Sequence, residues 1–253
     1  VNLVELHHLT GNLRRGLELA DKTVASARET NHPLALARGL CYRALLLVDL
    51  GRAEEALAES VAAVELARGL GDPEEALGAL VSAIRAAWVL GDPERVRELV
   101  AQVDALGVRF DTEGFAPLLE AWRARLAAVD GDTETARALL ERAAASSSSN
   151  RWVYQECRIE LSVARAWAAL RDPIRAVAHA ETALRKAEAA GFRFYALKAH
   201  ALAARHGTDE ASVARHRRVA DAIARSLAAN LPREDGDRFL AANWEPGGPG
   251  GPA

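Results

Sequence analysis

The sequence predicts an all-α fold, an α-solenoid of about six antiparallel helical hairpins, and three observations predict it. The first is composition: of 253 residues half are hydrophobic and 26% charged, about 55 are alanine, and only 5% are aromatic. Alanine is the best helix former, and strands draw on the β-branched and aromatic residues that are scarce here. The second is a 40-residue period, marked by Gly11, Gly51, Gly91 and Gly131, with Arg171 in the next place. The third is a second set of breaks halfway between these marks, which divides every period into two helix-length segments.

Taken in order, the first repeat has only about ten residues of its first helix before Gly11, and its second helix ends at Asn31-His32-Pro33. From Leu34 to Leu50 the chain is apolar nearly all round, and from Arg52 to Leu70 it is amphipathic, so one buried and one half-exposed helix make a hairpin. Asp72-Pro73-Glu74-Glu75 opens the third repeat with a capping carboxylate, Pro at the first helical position and Glu three residues after the cap. Asp92-Pro93 and Asp172-Pro173 repeat the cap, and Gly71, Gly91 and Gly191 suit the left-handed residue that closes a helix. The remaining halfway breaks fall at 107–114 and at Ser149-Asn150, and a sixth turn at Gly207 comes four residues short of register. The predicted organisation is a repeat array over 1–230, a capping helix over 231–245 that packs Phe239, Leu240 and Trp244, and a flexible Gly/Pro tail over 246–253. A short first helix leaves that end uncapped, so the expectation there is a fragment of a longer protein, an upstream effector domain, or self-association.

In the second repeat, Ala44, the turn Gly51-Arg52, Glu54-Glu55-Ala56 and Ala63 loosely match a helix–turn–helix signature, and Trp167 sits where an aromatic often stands. On these residues the chain resembles the tetratricopeptide repeat, with units longer than that family's usual ones. It is also similar to the repeat regions of large bacterial signalling proteins: LuxR-type ATP-dependent regulators and cyclase or kinase fusions with an ATPase core. The resemblance implies a right-handed superhelix, a concave wall lined by the first helix of each hairpin, and cytoplasmic protein or peptide binding in signal transduction or transcription regulation.

Several classes of function lack residues to carry them. No run of about 18 apolar residues is present for a membrane helix, and VNLVELHHLT lacks the pattern of a signal peptide. Cys41 and Cys157 stand 116 residues apart in apolar segments, the seven His form no ligand spacing, and no Gly-rich phosphate loop occurs. The expectation is a protein with no catalytic residue, no metal and no cofactor. A net charge of −3 argues against direct nucleic-acid binding.

One constellation stands out. Six residues before their turns lie Arg85, Arg125 and Arg165; thirteen before lie Arg38 and Arg158; Trp88 and Arg205 lie three and two before theirs. Stacked first helices would bring the first three into a row spaced about 10 Å apart. No carboxylate stands three or four residues from any of these three arginines on its own helix. Two readings follow. In one, Glu120 and Glu160 brace the stack as interhelical ion pairs. In the other, Arg38, Arg85, Trp88, Arg125, Arg158, Arg165 and Arg205 line a groove for a protein or peptide with acidic groups. A small-molecule pocket around Trp88, Trp122 and Arg125, or a purely architectural spacer, are the alternatives.

Overall fold

A computed structural model describes residues 3–107, 115–147 and 152–244. Of the expected break at 107–114 only Gly107 is described, and the break at 149–150 and the tail at 246–253 lie outside the described residues. Among those described are thirteen α-helices and no strand. They pair as hairpins: α1 (Leu3–Thr10) with α2 (Leu13–Glu29), α3 (Pro33–Asp49) with α4 (Ala53–Gly69), α5 (Pro73–Leu90) with α6 (Pro93–Ala105). Then follow α7 (Phe115–Val129) with α8 (Thr133–Ser147) and α9 (Val153–Ala169) with α10 (Pro173–Ala190), and after them α11 (Arg193–His206), α12 (Glu210–Ala228), which meets α11 at His200 and His216, and a last helix α13 (Arg233–Asn243).

The period is a backbone event. Gly11, Gly51, Gly91 and Gly131 have φ between +71° and +81°, and Arg171, in the fifth place, is forced to +57°. At each of these turns the amide one residue further on reaches back five residues: Arg52 to Leu47 O at 2.9 Å, Asp92 to Ala87 O at 3.1 Å, Asp172 to Trp167 O at 3.0 Å. This is the Schellman closure, which needs a left-handed residue and satisfies carbonyls at the helix end. The next helix starts at once, because Asp72, Asp92, Asp132 and Asp172 each accept the amide three residues on through Oδ1, at 2.9–3.1 Å. Such a cap contributes about 1 kcal/mol. Glu75 does not complete the reciprocal box expected of it. The Asp72 amide is already bound to Ala67 O, and the Glu75 carboxylate accepts from Arg38 Nε at 2.6 Å.

Contacts divide the chain into two compact units, one holding 1–108 with 226–252, the other 109–225. In the first, α3 packs on both α1 and α5, and α4 packs on α3 and α5. Helix α5 is buried on most of its surface, from Ala76 to Trp88, whereas α2 buries only the stripe Leu13, Gly16, Ala20, Val24, Ala27. Stacked hairpins with buried first helices and half-exposed second helices are the solenoid pattern the sequence predicts.

The C-terminal residues belong to this first unit. Phe239 is buried, and Asn243 Nδ2 donates to Asp49 O at 2.7 Å. Leu227 lies against Gly11, and Arg238 O and Ala242 lie against Gly51. An uncapped first end is expected from the short α1; at the turns the chain's own C-terminal segment covers it, while Leu3 and Leu6 of α1 stay exposed. In the second unit α9 is central, with α7 and α11 packed on it as neighbouring first helices and α8 and α10 beside it.

Candidate functional site

Arg85 is held from below. Its Nη2 donates to Asp49 Oδ2 at 2.9 Å, and the same oxygen lies 2.7 Å from His8 Nε2. A carboxylate only accepts, so the imidazole donates there. Asp49 and His8 are both buried, and Asn243 fixes the Asp49 carbonyl from α13. This arrangement braces α1, α3, α5 and α13, and for Arg85 it is an ion pair with Asp49 in place of Glu120 or Glu160. Glu120 accepts from Arg142 on α8 at 2.8 Å, and Glu160 binds His179 on α10 at 2.7 Å. Trp88, in the same compact unit as Arg85, is buried.

Four of the predicted residues lie in the second unit. Arg125 on α7 is buried, and burial, followed by the charge of Arg165, pushes its pKa down to about 9. Arg158 and Arg165, seven apart on α9, are half-buried, and Arg158 Nη1 donates to Gln155 Oε1 at 3.3 Å. Arg205 on α11 is exposed. On α7, α9 and α11 together there are seven Arg and Lys against three Glu, a formal +4 in a chain whose net charge is −3. The three carboxylates reach the second helices, since Glu156 binds Lys186 on α10 as Glu120 and Glu160 bind α8 and α10.

A histidine pair with no ligand spacing in the sequence is a further feature. His200 Nδ1 and His216 Nδ1 are 2.8 Å apart and buried, and Arg215 Nη2 lies 3.3 Å from His216 Nε2. The guanidinium only donates, so His216 carries its proton on Nδ1 and gives it to His200 Nδ1. His200 then holds its own proton on Nε2, with Glu188 Oε1 3.8 Å away. Burial, and then His216 and Arg215, push the His200 pKa down to about 4. The signal was in the sequence once the sixth repeat is aligned by its own turn. His200 takes the place of Val4, Ala44, Ile84, Ala124 and Ala164, seven before the turn, and His216 that of Ala20, Ser60, Val100, Leu140 and Ala180, nine after it, all buried.

Arg38 stands apart from the other six. Its side chain is 53% exposed, and it lines a cavity of about 310 Å³ with Val4, Thr23, His32, Leu34 and Tyr42. As for chemistry, burial pushes the Cys157 thiol up to about 12, far from a thiolate nucleophile. No group of three metal-ligating side chains occurs among the described residues, and no helix there is long and apolar enough to cross a membrane.

No protein-family model matches the chain, and no curated protein matches it. A solved structure described as a "Circular tandem repeat protein with novel repeat topology and enhanced subunit contact surfaces" is 20% identical over 94% of this chain and 73% of that one, with a TM-score of 0.26. A score that low carries nothing from that protein to this one. The chain stands, on its own backbone, as an all-α helical repeat protein.

Proposed function

We propose that this chain is a non-catalytic recognition domain of the tetratricopeptide type. In this reading it is the sensor or scaffold part of a bacterial signal-transduction or transcription regulator in the cytoplasm, and it binds an acidic protein or peptide segment. The binding face is the wall of α7, α9 and α11, with the half-buried Arg158 and Arg165, the exposed Arg205, and the buried Arg125, which feels the charge of Arg165. The observation that carries the reading is the charge of that wall. It is +4 in a net-negative chain, and its three carboxylates are engaged by α8 and α10. Guanidinium groups at a surface with an apolar base give the planar, charge-assisted recognition that acidic side chains require. Arg85 and Trp88 drop out of this binding set, because one braces Asp49 and the other is buried.

The test is fluorescence anisotropy with labelled dodecapeptides of matched length that are acidic, neutral or basic. Wild type is compared with the Arg158→Glu/Arg165→Glu double variant after both are shown to melt alike. Acidic peptides are expected to bind wild type, and the variant to weaken them at least about tenfold. Equal binding of all three charge classes, or a correctly folded variant that binds as well as wild type, sinks the reading.

A further inference from the structure

The cavity in the first compact unit offers an apolar body and donors with nothing to receive them. Its wall is Val4 of α1, Ala20 and Thr23 of α2, and Leu34, Ala35, Gly39 and the Tyr42 ring of α3. Two of its lining side chains bring N–H groups. His32 Nδ1 accepts the Ala35 amide at 3.2 Å, so the imidazole proton is on Nε2, where no acceptor meets it among the described residues. Arg38 spends Nε on Glu75 at 2.6 Å, and its two Nη groups have no partner among the described residues. Thr23 Oγ1 already donates to Leu19 O. Two carboxylates stand near: Glu75, which Arg38 holds, and Asp72, whose charge also reaches the Arg38 guanidinium and whose Oδ1 caps the Glu75 amide.

From this inventory we infer that the cavity between α1, α2 and α3 is a binding site for a small monocarboxylic acid with an apolar body. The carboxylate lies across Arg38 Nη and His32 Nε2–H, and the hydrocarbon part fills the space against Val4, Ala20, Leu34 and Tyr42. At roughly 30 Å³ per non-hydrogen atom, the share of a water molecule in the liquid, the cavity takes about ten such atoms. That is the lower end of ligand pockets and suits a small molecule. The two Nη groups and the imidazole N–H only donate, so the ligand must accept there, and a neutral acceptor forgoes the charge-assisted bond. The inference does not depend on the peptide-binding reading, since no residue of the α7, α9 and α11 wall lines this cavity.

Calorimetric titration of the whole chain with 4-methylpentanoate and phenylacetate, each beside its primary amide, tests it. The acids are expected to bind with Kd on the order of 0.1–1 mM, as suits ligands of this size, and the amides about tenfold more weakly. Arg38→Gln should weaken the acids by about the same factor and leave the amides unchanged, and Ala35→Phe, which fills the space, should abolish both. Arg38 is half-exposed, so its variant stays folded even if the Ala35 variant does not. Arg158→Glu/Arg165→Glu should leave acid binding intact. Acids and amides of equal affinity, no heat with any probe up to about 10 mM, or acid binding lost with the wall variant would each overturn the site.

Discussion

Ser60 is out of step with its own register. It lies nine residues after the turn Gly51, and Ala20, Val100, Leu140 and Ala180 fill the same place in other repeats. All are buried, and the Ser60 hydroxyl, buried with them on α4, finds no hydrogen-bond partner among the described residues. Removing a buried polar atom that has no partner is favourable, and Ala is also the better helix former. Ser60→Ala should therefore raise stability by about 1 kcal/mol, read as a higher urea midpoint at unchanged slope; a lower midpoint would show that the hydroxyl is bonded after all. The same register explains what was legible about Arg85. Its spacing from Arg125 and Arg165 is visible in the sequence, but its partner Asp49 lies 36 residues away at the end of another helix. The mark Asp49 leaves is only that it replaces Leu9, Val89, Val129 and Ala169, as His8 replaces Val48, Trp88, Ala128 and Ala168. A polar residue in an apolar register place points to a buried network, though it does not say which partners close it.

At the scale of elements the turns were the most legible part, because closure and cap are both local chemistry. A left-handed residue, a back-bonded amide and an Asp three residues before the amide it caps all lie within a few positions of one another. Docking of α13 on α3 was not legible beyond the apolar character of Phe239, since a contact between Asn243 and Asp49 spans 194 residues. Two of these turns separate the local term from the docking term. Gly91 (φ +71°) has nothing within 4 Å of where a Cβ would stand, whereas at Gly51 (φ +77°) a Cβ would come 2.9 Å from Arg238 O, a backbone atom that cannot swing aside. Gly91→Ala should cost about 1 kcal/mol for its left-handed backbone alone, and Gly51→Ala about 2–3 kcal/mol because α13 must also move. Thermal melts give the two costs, and amide exchange over 233–243 should rise only in the Gly51 variant. Equal costs and equal exchange would mean that α13 is not seated on the second turn.

For the molecule as a whole, the division into two compact units left no mark in the spacing, which runs through residue 109 without a change of period. The units do differ in their titrating cores. The second holds His200, His206 and His216, all with pKa values lowered first by burial, His200 to about 4. The charges that face the pair are Arg215 on α12, which opposes protonation, and Glu181 and Glu188 on α10, which favour it at His216. A histidine whose folded pKa lies below its unfolded value of about 6.5 is bound to fewer protons when folded. Its contribution is therefore complete above pH 6.5 and is lost as pH falls from 6.5 towards 4. At about 1.4 kcal/mol per pKa unit, His200 alone puts the loss on the order of 3 kcal/mol. Hydrogen exchange at pH 7 and pH 5, corrected for intrinsic rates, should thus show protection falling over α11 and α12 more than over α3–α5. His200→Gln, whose amide oxygen can still accept the His216 Nδ1–H, should flatten that difference. A variant with the wild-type pH profile would show that His200 does not carry the pH dependence, leaving it to His206 and His216.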